Sequence, residues 1–135
     1  MTLTHNEVEI DDAVVVINIH EQFPHVKNAQ ELYDCTKGAW RMRPKRAGKA
    51  KYFFAVFEGE IREAYEVIDC IPATDETKEY WRNRLLSQGR HLRPEVNEGR
   101  AEFVGQIASD DVRAKYVGKC LTVKLTQNPV RYFNC

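Results

Sequence analysis

The sequence predicts an α+β fold: a small bent sheet, mixed or antiparallel, curled into an open barrel and carrying two or three helices. Three observations predict it. Residues 13–19 and 51–57 are short apolar runs rich in β-branched and aromatic side chains, the pattern of strands buried on both faces. Residues 61–68 alternate in polarity directly after the turn Glu58-Gly59-Glu60, which marks an antiparallel hairpin with 51–57. Helical spacing with a recognisable cap occurs after Asn28 and after Ser109.

In chain order, residues 1–12 form an N-terminal arm in which Val8 and Ile10 alternate with acids, so an edge strand is available there. Residues 13–19 form a central strand, with Asn18 as either a satisfied core amide or a pocket group at the strand end. After a loop containing Pro24, Asn28 and Glu31 form an N-cap and capping-box pair. Leu32, Cys35 or Thr36, and Ala39 then place one helix face inward. Gly38 weakens the last turn and Pro44 stops the helix, so Trp40 and Arg41 stand at its exit.

Residues 73–99 read as an irregular insertion or lid. Thr77 caps a short helix over 78–88 that Gly89 closes, with Trp81 and Leu85 on one face and Arg82, Arg84, Arg90 and Arg93 nearby. Residues 101–108 form a strand in which Gly105 permits a bulge or a close backbone approach. Ser109 caps the next helix, with Asp110 and Asp111 in its first turn, Val112 and Tyr116 facing inward and Gly118 as the stop. Residues 121–125 suggest a short strand, and 130–133 a final strand docked on the core. Residues 13–135 thus form one domain, a length that suits a single core.

Formal net charge is zero, so any affinity for a polyanion must come from local asymmetry. That asymmetry exists. Glu7, Glu9, Asp11 and Asp12 are an acidic block, whereas Arg41, Arg43, Lys45, Arg46, Lys49 and Lys51 form a basic stretch with no acid, headed by Trp40 and closed by Tyr52. Such a stretch is either a solvated loop or an anion-binding rim beside an aromatic platform. Cys35, Cys70, Cys120 and Cys135 lack the spacing of a zinc or redox motif, and the four histidines are scattered, so no metal or other cofactor is expected. The N-terminus is polar and no apolar run is long enough for a bilayer, which predicts a reduced cytoplasmic protein.

Catalytic patterns are weak. Ser109 is accounted for as a cap, Cys35 as inert packing, and neither a nucleophile elbow nor a phosphate loop is present. Three clusters favour binding: Trp40-Arg41 with the basic stretch, Asn128-Pro129-Val130-Arg131-Tyr132, and Trp81-Arg82 with neighbouring arginines. In this reading Trp40 or Tyr132 stacks on a base, while Arg41 and Arg131 hold phosphate or a base edge. Asn18 and Asn128 give polar specificity, Tyr52 belongs to the same pocket, and Arg43, Lys45, Arg46 and Lys51 supply backbone affinity.

The series Ile17-Asn18, Glu31-Leu32-Tyr33, Gly38-x-Trp40-Arg41, Ile61-Arg62-Glu63-x-Tyr65, Gly99-Arg100-x-x-Phe103-Val104-Gly105 and Asn128-Pro129-Val130-Arg131-Tyr132 resembles a little-characterised bacterial domain. That domain follows the nuclease unit in some GIY-YIG proteins and also stands alone. The resemblance carries no activity with it, because this sequence shows no nuclease unit. Tyr116-Val117-Gly118 imitates half of the GIY-YIG signature but follows a helix start, so Gly118 is read as a helix stop. A looser likeness, in element order and size, is to the PUA, ASCH and EVE group of base- and RNA-binding proteins. It implies a pocket between the barrel and the first helix, near Trp40, Arg41 and the C-terminal strand. The expected function is a non-enzymatic nucleic-acid-binding module that reads single-stranded or modified bases. The alternatives are an enzyme acting on a nucleotide or nucleic acid in the same pocket, and a protein-interaction component of a defence or toxin system.

Overall fold

The computed structural model describes residues 6–90, 99–125 and 128–135. Its centre is an open mixed sheet in the order β1-β7-β5-β4-β2-β8, from which β6 and then β3 branch at the far half of β5. The strands are β1 (Glu7–Val8), β2 (Val14–Asn18), β3 (Gly38–Arg41), β4 (Tyr52–Phe57), β5 (Glu60–Pro72), β6 (Arg100–Ile107), β7 (Cys120–Leu121) and β8 (Val130–Phe133). The helices are α1 (Ala29–Lys37), α2 (Pro44–Ala47), α3 (Asp75–Ser87) and α4 (Asp110–Tyr116), with a 3-10 turn at Phe23–His25.

The apolar run in β2 is central, as its composition requires. It pairs in parallel with β4 and antiparallel with β8, and Val14, Val15, Val16 and Ile17 are fully buried. Parallel pairing demands a long crossover, and α1, β3 and α2 supply it. The β4–β5 hairpin turns through Glu58 and Gly59, both at positive φ, which is the backbone a tight two-residue turn needs. Alternation along β2 and β4 builds two core layers. Val15, Ile17 and Phe53 face α1 and α2, whereas Val14, Val16 and Phe54 face α4.

Long-range contacts moved several element boundaries. Residues 38–41 extend the sheet as β3 instead of ending a helix, and Pro44 opens α2, where its fixed φ suits a first helical position. This short α2 is the helix that the sequence did not announce. The cap of α3 is Thr74, whose hydroxyl accepts from the Thr77 backbone N–H at 3.2 Å; the Thr77 hydroxyl is already committed to Glu102 at 2.8 Å. Within α3, Trp81 and Leu85 are buried against Cys35, whereas Asp75, Glu76, Glu79, Arg82, Asn83, Leu86 and Ser87 are exposed, so one face pins the helix to the domain and the other is solvated. The remainder of the expected insertion, 91–98, lies outside the described residues, as does Arg93. The strand expected over 121–125 shrinks to β7.

Other expectations hold in detail. Asn28 Oδ1 accepts from the Glu31 N–H at 2.9 Å, and Ser109 caps α4. The arm is fastened from residue 7 onward: β1 pairs with β7, Asp11 contacts Lys115 at 2.6 Å, and the buried Tyr116 hydroxyl donates to Asp12 at 2.6 Å. Asp11 and Asp12 of the acidic block therefore pair with α4.

Gly105 allows a close approach. A Cβ there would lie 2.4 Å from the Glu66 carbonyl oxygen and 2.7 Å from the Phe53 ring. The Tyr33 hydroxyl closes the same spot, accepting from the Gly105 N–H and donating to its carbonyl, both at 3.0 Å. Gly105→Ala is expected to destabilise the fold by about 1–3 kcal/mol through overpacking, read as a lower urea midpoint.

Candidate functional site

The site is assembled around a buried carboxylate. Glu102 on β6 is 4% exposed. It accepts from the Thr74 N–H at 2.7 Å, the Thr77 hydroxyl at 2.8 Å and the Lys37 ammonium at 2.9 Å. Burial pushes its pKa up, but these donors outweigh burial and hold it below the ordinary carboxylate value. One side chain thus joins the end of α1, the start of α3 and β6. Gly38 is its register partner, and a Cβ at Gly38 would sit 2.5 Å from that of Glu102. Only glycine fits there, and this is what lets α1 run directly into β3.

The aromatic wall follows from that junction. The Trp81 indole N–H donates to the Gly38 carbonyl, and the Trp40 indole N–H donates to the Thr36 carbonyl at 2.8 Å. The two rings meet edge to face, with centroids 6.1 Å apart and planes at 68°. Behind α3, Arg84 donates to Gln22 at 2.8 Å and to Glu31 at 3.1 Å, tying α3 to α1 and to the loop after β2.

Between β3, α3 and the adjoining ends of β2 and β8 lies a cavity of about 840 Å³. Its aromatic lining is Trp40 and Trp81, and its apolar lining includes Ile19, Leu85 and Val130. Asn18 reaches it from the end of β2, and its Oδ1 is buried with no hydrogen-bond partner among the described residues. Four cations line it, namely Arg41, Lys78, Arg90 and Arg100. The only lining carboxylate among the described residues is Glu21, which is exposed and pairs with Arg90 at 3.2 Å. The volume falls in the range of pockets for small organic ligands, and the lining combines aromatic faces, an unsatisfied amide acceptor and positive charge.

The structure brings together Trp40, Arg41, Asn18 and Asn128, which the sequence placed ninety residues apart or more at the extremes. The Asn128 Oδ1 accepts from the Val130 N–H at 3.0 Å, shaping the entry to β8. Tyr132 stands beside the basic stretch, not in the cavity. Its hydroxyl accepts from the Arg43 N–H at 3.1 Å, and the Arg46 guanidinium lies 4.0 Å over its ring. Arg131 points to the opposite face of the sheet, over the Phe133 ring, because strand alternation separates it from Val130 and Tyr132. Tyr52 is likewise on the far face, beside Phe54, and does not line the cavity. Arg43, Lys45, Lys49 and Lys51 are exposed, while Met42, Ala47 and Ala50 of the same segment are buried.

No family model matches the chain, no curated protein does, and no solved structure does. The relationships expected from the residue series quoted above therefore rest on those residues alone.

Sequence reasoning missed Arg100 and Lys78 as site residues. Arg100 is the register partner of Arg41, a relation that exists only because 38–41 is a strand. Among the described residues no group of three His, Cys, Asp or Glu is arranged to hold a metal ion, and no helix is long and apolar enough to cross a membrane. The cysteines are free thiols, and burial pushes Cys35 up and Cys70 up to about 11.

Glu102 yields a pH prediction. Its folded pKa is depressed, so its stabilisation is fully present above the unfolded value near 4.5 and is lost as pH falls towards the folded value. Glu102→Gln should lower stability at pH 7 by about 1–3 kcal/mol by weakening the hold on the Lys37 charge. In denaturant melts from pH 7 down to pH 3, the variant should show a shallower acid-side loss than the natural chain.

Proposed function

We propose that this protein is a non-enzymatic nucleic-acid-binding module that reads a single-stranded or modified base in the cavity between β3, α3 and the ends of β2 and β8. The observation that carries this reading is the composition of that cavity. In a chain of zero net charge, four cations and one carboxylate among the described residues line a space that also holds both tryptophans of the sequence. A base stacks on an aromatic face whatever its identity, at about 1–3 kcal/mol. Asn18 Oδ1, buried without a partner among the described residues, suits an N–H donor on a base edge. The exposed cations Arg43, Lys45, Lys49 and Lys51 suit the flanking phosphates.

Binding is favoured over catalysis because the two candidate bases that line the cavity, His20 and Glu21, share no hydrogen bond among the described residues, and Glu21 pairs with Arg90 at 3.2 Å. A partner-binding role through the acidic block is disfavoured, because Asp11 and Asp12 engage Lys115 and Tyr116 of the same chain. The likeness to the PUA, ASCH and EVE group belongs with this proposal, and free thiols suit a reducing compartment such as the cytoplasm.

The test is titration of the full chain with short single-stranded RNA and DNA, plain and base-modified. The intrinsic fluorescence of Trp40 and Trp81 reports on the cavity directly. Expected are quenching on binding and an affinity that falls with salt, with a logarithmic slope of about −0.7 per phosphate contacted. Trp40→Ala should weaken binding by about 1–3 kcal/mol, measured by anisotropy of a labelled strand. The double change Lys45→Gln with Lys49→Gln should flatten the salt slope. Absence of binding to every strand at low salt would overturn the reading.

A further inference from the structure

A second recess adjoins the cavity. It has a volume of about 350 Å³ and lies between the end of β2, the Glu58-Gly59 turn of the β4–β5 hairpin and residues 123–125. Asn18 and His20 line both spaces, so they form a wall that the two share. The buried, unpartnered Asn18 Oδ1 thus stands at a partition between two recesses.

Local structure builds the second space. Asn18 ends β2, and its N–H donates to the Pro129 carbonyl at 2.7 Å, which holds the partition to the entry of β8. The Gly59 carbonyl accepts from the Leu121 N–H at 2.8 Å, which ties the hairpin turn to the chain leading into 123–125. Arg131 donates from β8 to the Lys124 carbonyl at 3.4 Å. The arginine that turns away from the cavity therefore fastens the far wall of the recess.

The lining differs in kind from that of the cavity. Glu58 and Lys124, both exposed, give it one charge of each sign among the described residues, and Val123 and Leu125 give it apolar surface. Val123 is 37% exposed, a branched apolar side chain left open to the recess. A charge-balanced, partly apolar space suits the ring of a base better than a phosphate, and an imidazole such as that of His20 can stack on a base.

We infer that the site is double: the second recess takes the base next to the one in the cavity, against Val123 and Leu125, with His20 between the two bases. The inference rests on the nucleic-acid reading above and adds to it the course of the strand. The ligand is a dinucleotide unit of a single strand that crosses Asn18, and not one isolated base.

The deciding experiment uses dinucleotides of one backbone carrying two bases, one base at either position with an abasic sugar at the other, or two abasic sugars. Each has a single phosphodiester, so charge is matched across the set. Affinities for the full chain are read by competition against a labelled single strand. Affinity should fall in two steps, about tenfold when the first base is removed and about tenfold again when the second is, as one stacking contact is lost each time. Val123→Glu, a change at an exposed position that puts a carboxylate in the recess, should abolish the first step. A first step that survives in full in this variant overturns the inference, because the second base then lies elsewhere. One base binding as tightly as two, with the doubly abasic backbone weaker, also overturns it and leaves the reading of a single base standing. A doubly abasic backbone that binds as tightly as the intact dinucleotide, or no competition by any member of the set, overturns both.

Discussion

The buried carboxylate of Glu102 is the constraint from which the cavity follows. A charge that is 4% exposed is tolerated only with full compensation, and three donors from two helices supply it. Lys37 closes α1, Thr74 and Thr77 open α3, and Glu102 itself holds β6. Because these donors must converge on one point, the spacing between α1, α3 and β6 is set. The chain that leaves α1 must then pass over Glu102 without a side chain, which is the place of Gly38. The Gly38–Ala39 peptide there is cis. The tryptophans, Arg41 and Arg100 take their positions from that passage.

The electrostatic design works by segregation. The chain is neutral as a whole, yet its acids and bases are sorted by the fold. Asp11 and Asp12 are spent on Lys115 and Tyr116 at one side of the sheet, and Glu63 is spent on Arg113 at 2.8 Å. Glu31 is spent on Arg84, and Glu102 on Lys37. Among the described residues, the charged side chains that line the cavity besides His20 are four cations and one carboxylate. Local field, and not net charge, is then what an anionic ligand meets. Arg46 follows a different logic: it covers Tyr132 and donates to the Cys135 carbonyl at 3.2 Å, so one of the six cations in the basic stretch serves to fasten the C-terminus.

Much of the fold was legible because its signals are local. The β-branched run of β2, the Glu58-Gly59 turn, the Asn28 and Ser109 caps and the extent of β8 each depend on residues within a few positions of one another. Gly105 was readable as a point of close approach, although not what approaches it, which is the Phe53 ring. The candidate site was legible in part. Trp40, Arg41, Asn18 and Asn128 do meet, whereas Arg131 and Tyr52 turned to the other face. In a strand a shift of one residue reverses the side, and a basic or aromatic residue gives no hint of which side it takes.

The sequence by itself determined the element types, the α+β class and the presence of a basic stretch headed by an aromatic ring. These follow from periodicity, caps and charge order, which act over a turn or a strand. Only the tertiary structure decided that residues 38–41 form a strand, that Arg100 stands opposite Arg41, and that the buried face of α3 walls a cavity. The physical reason is that each of these depends on pairing across sixty residues or so, from Gly38 to Glu102, and a buried charge chooses its partners by convergence in space, which no local pattern encodes.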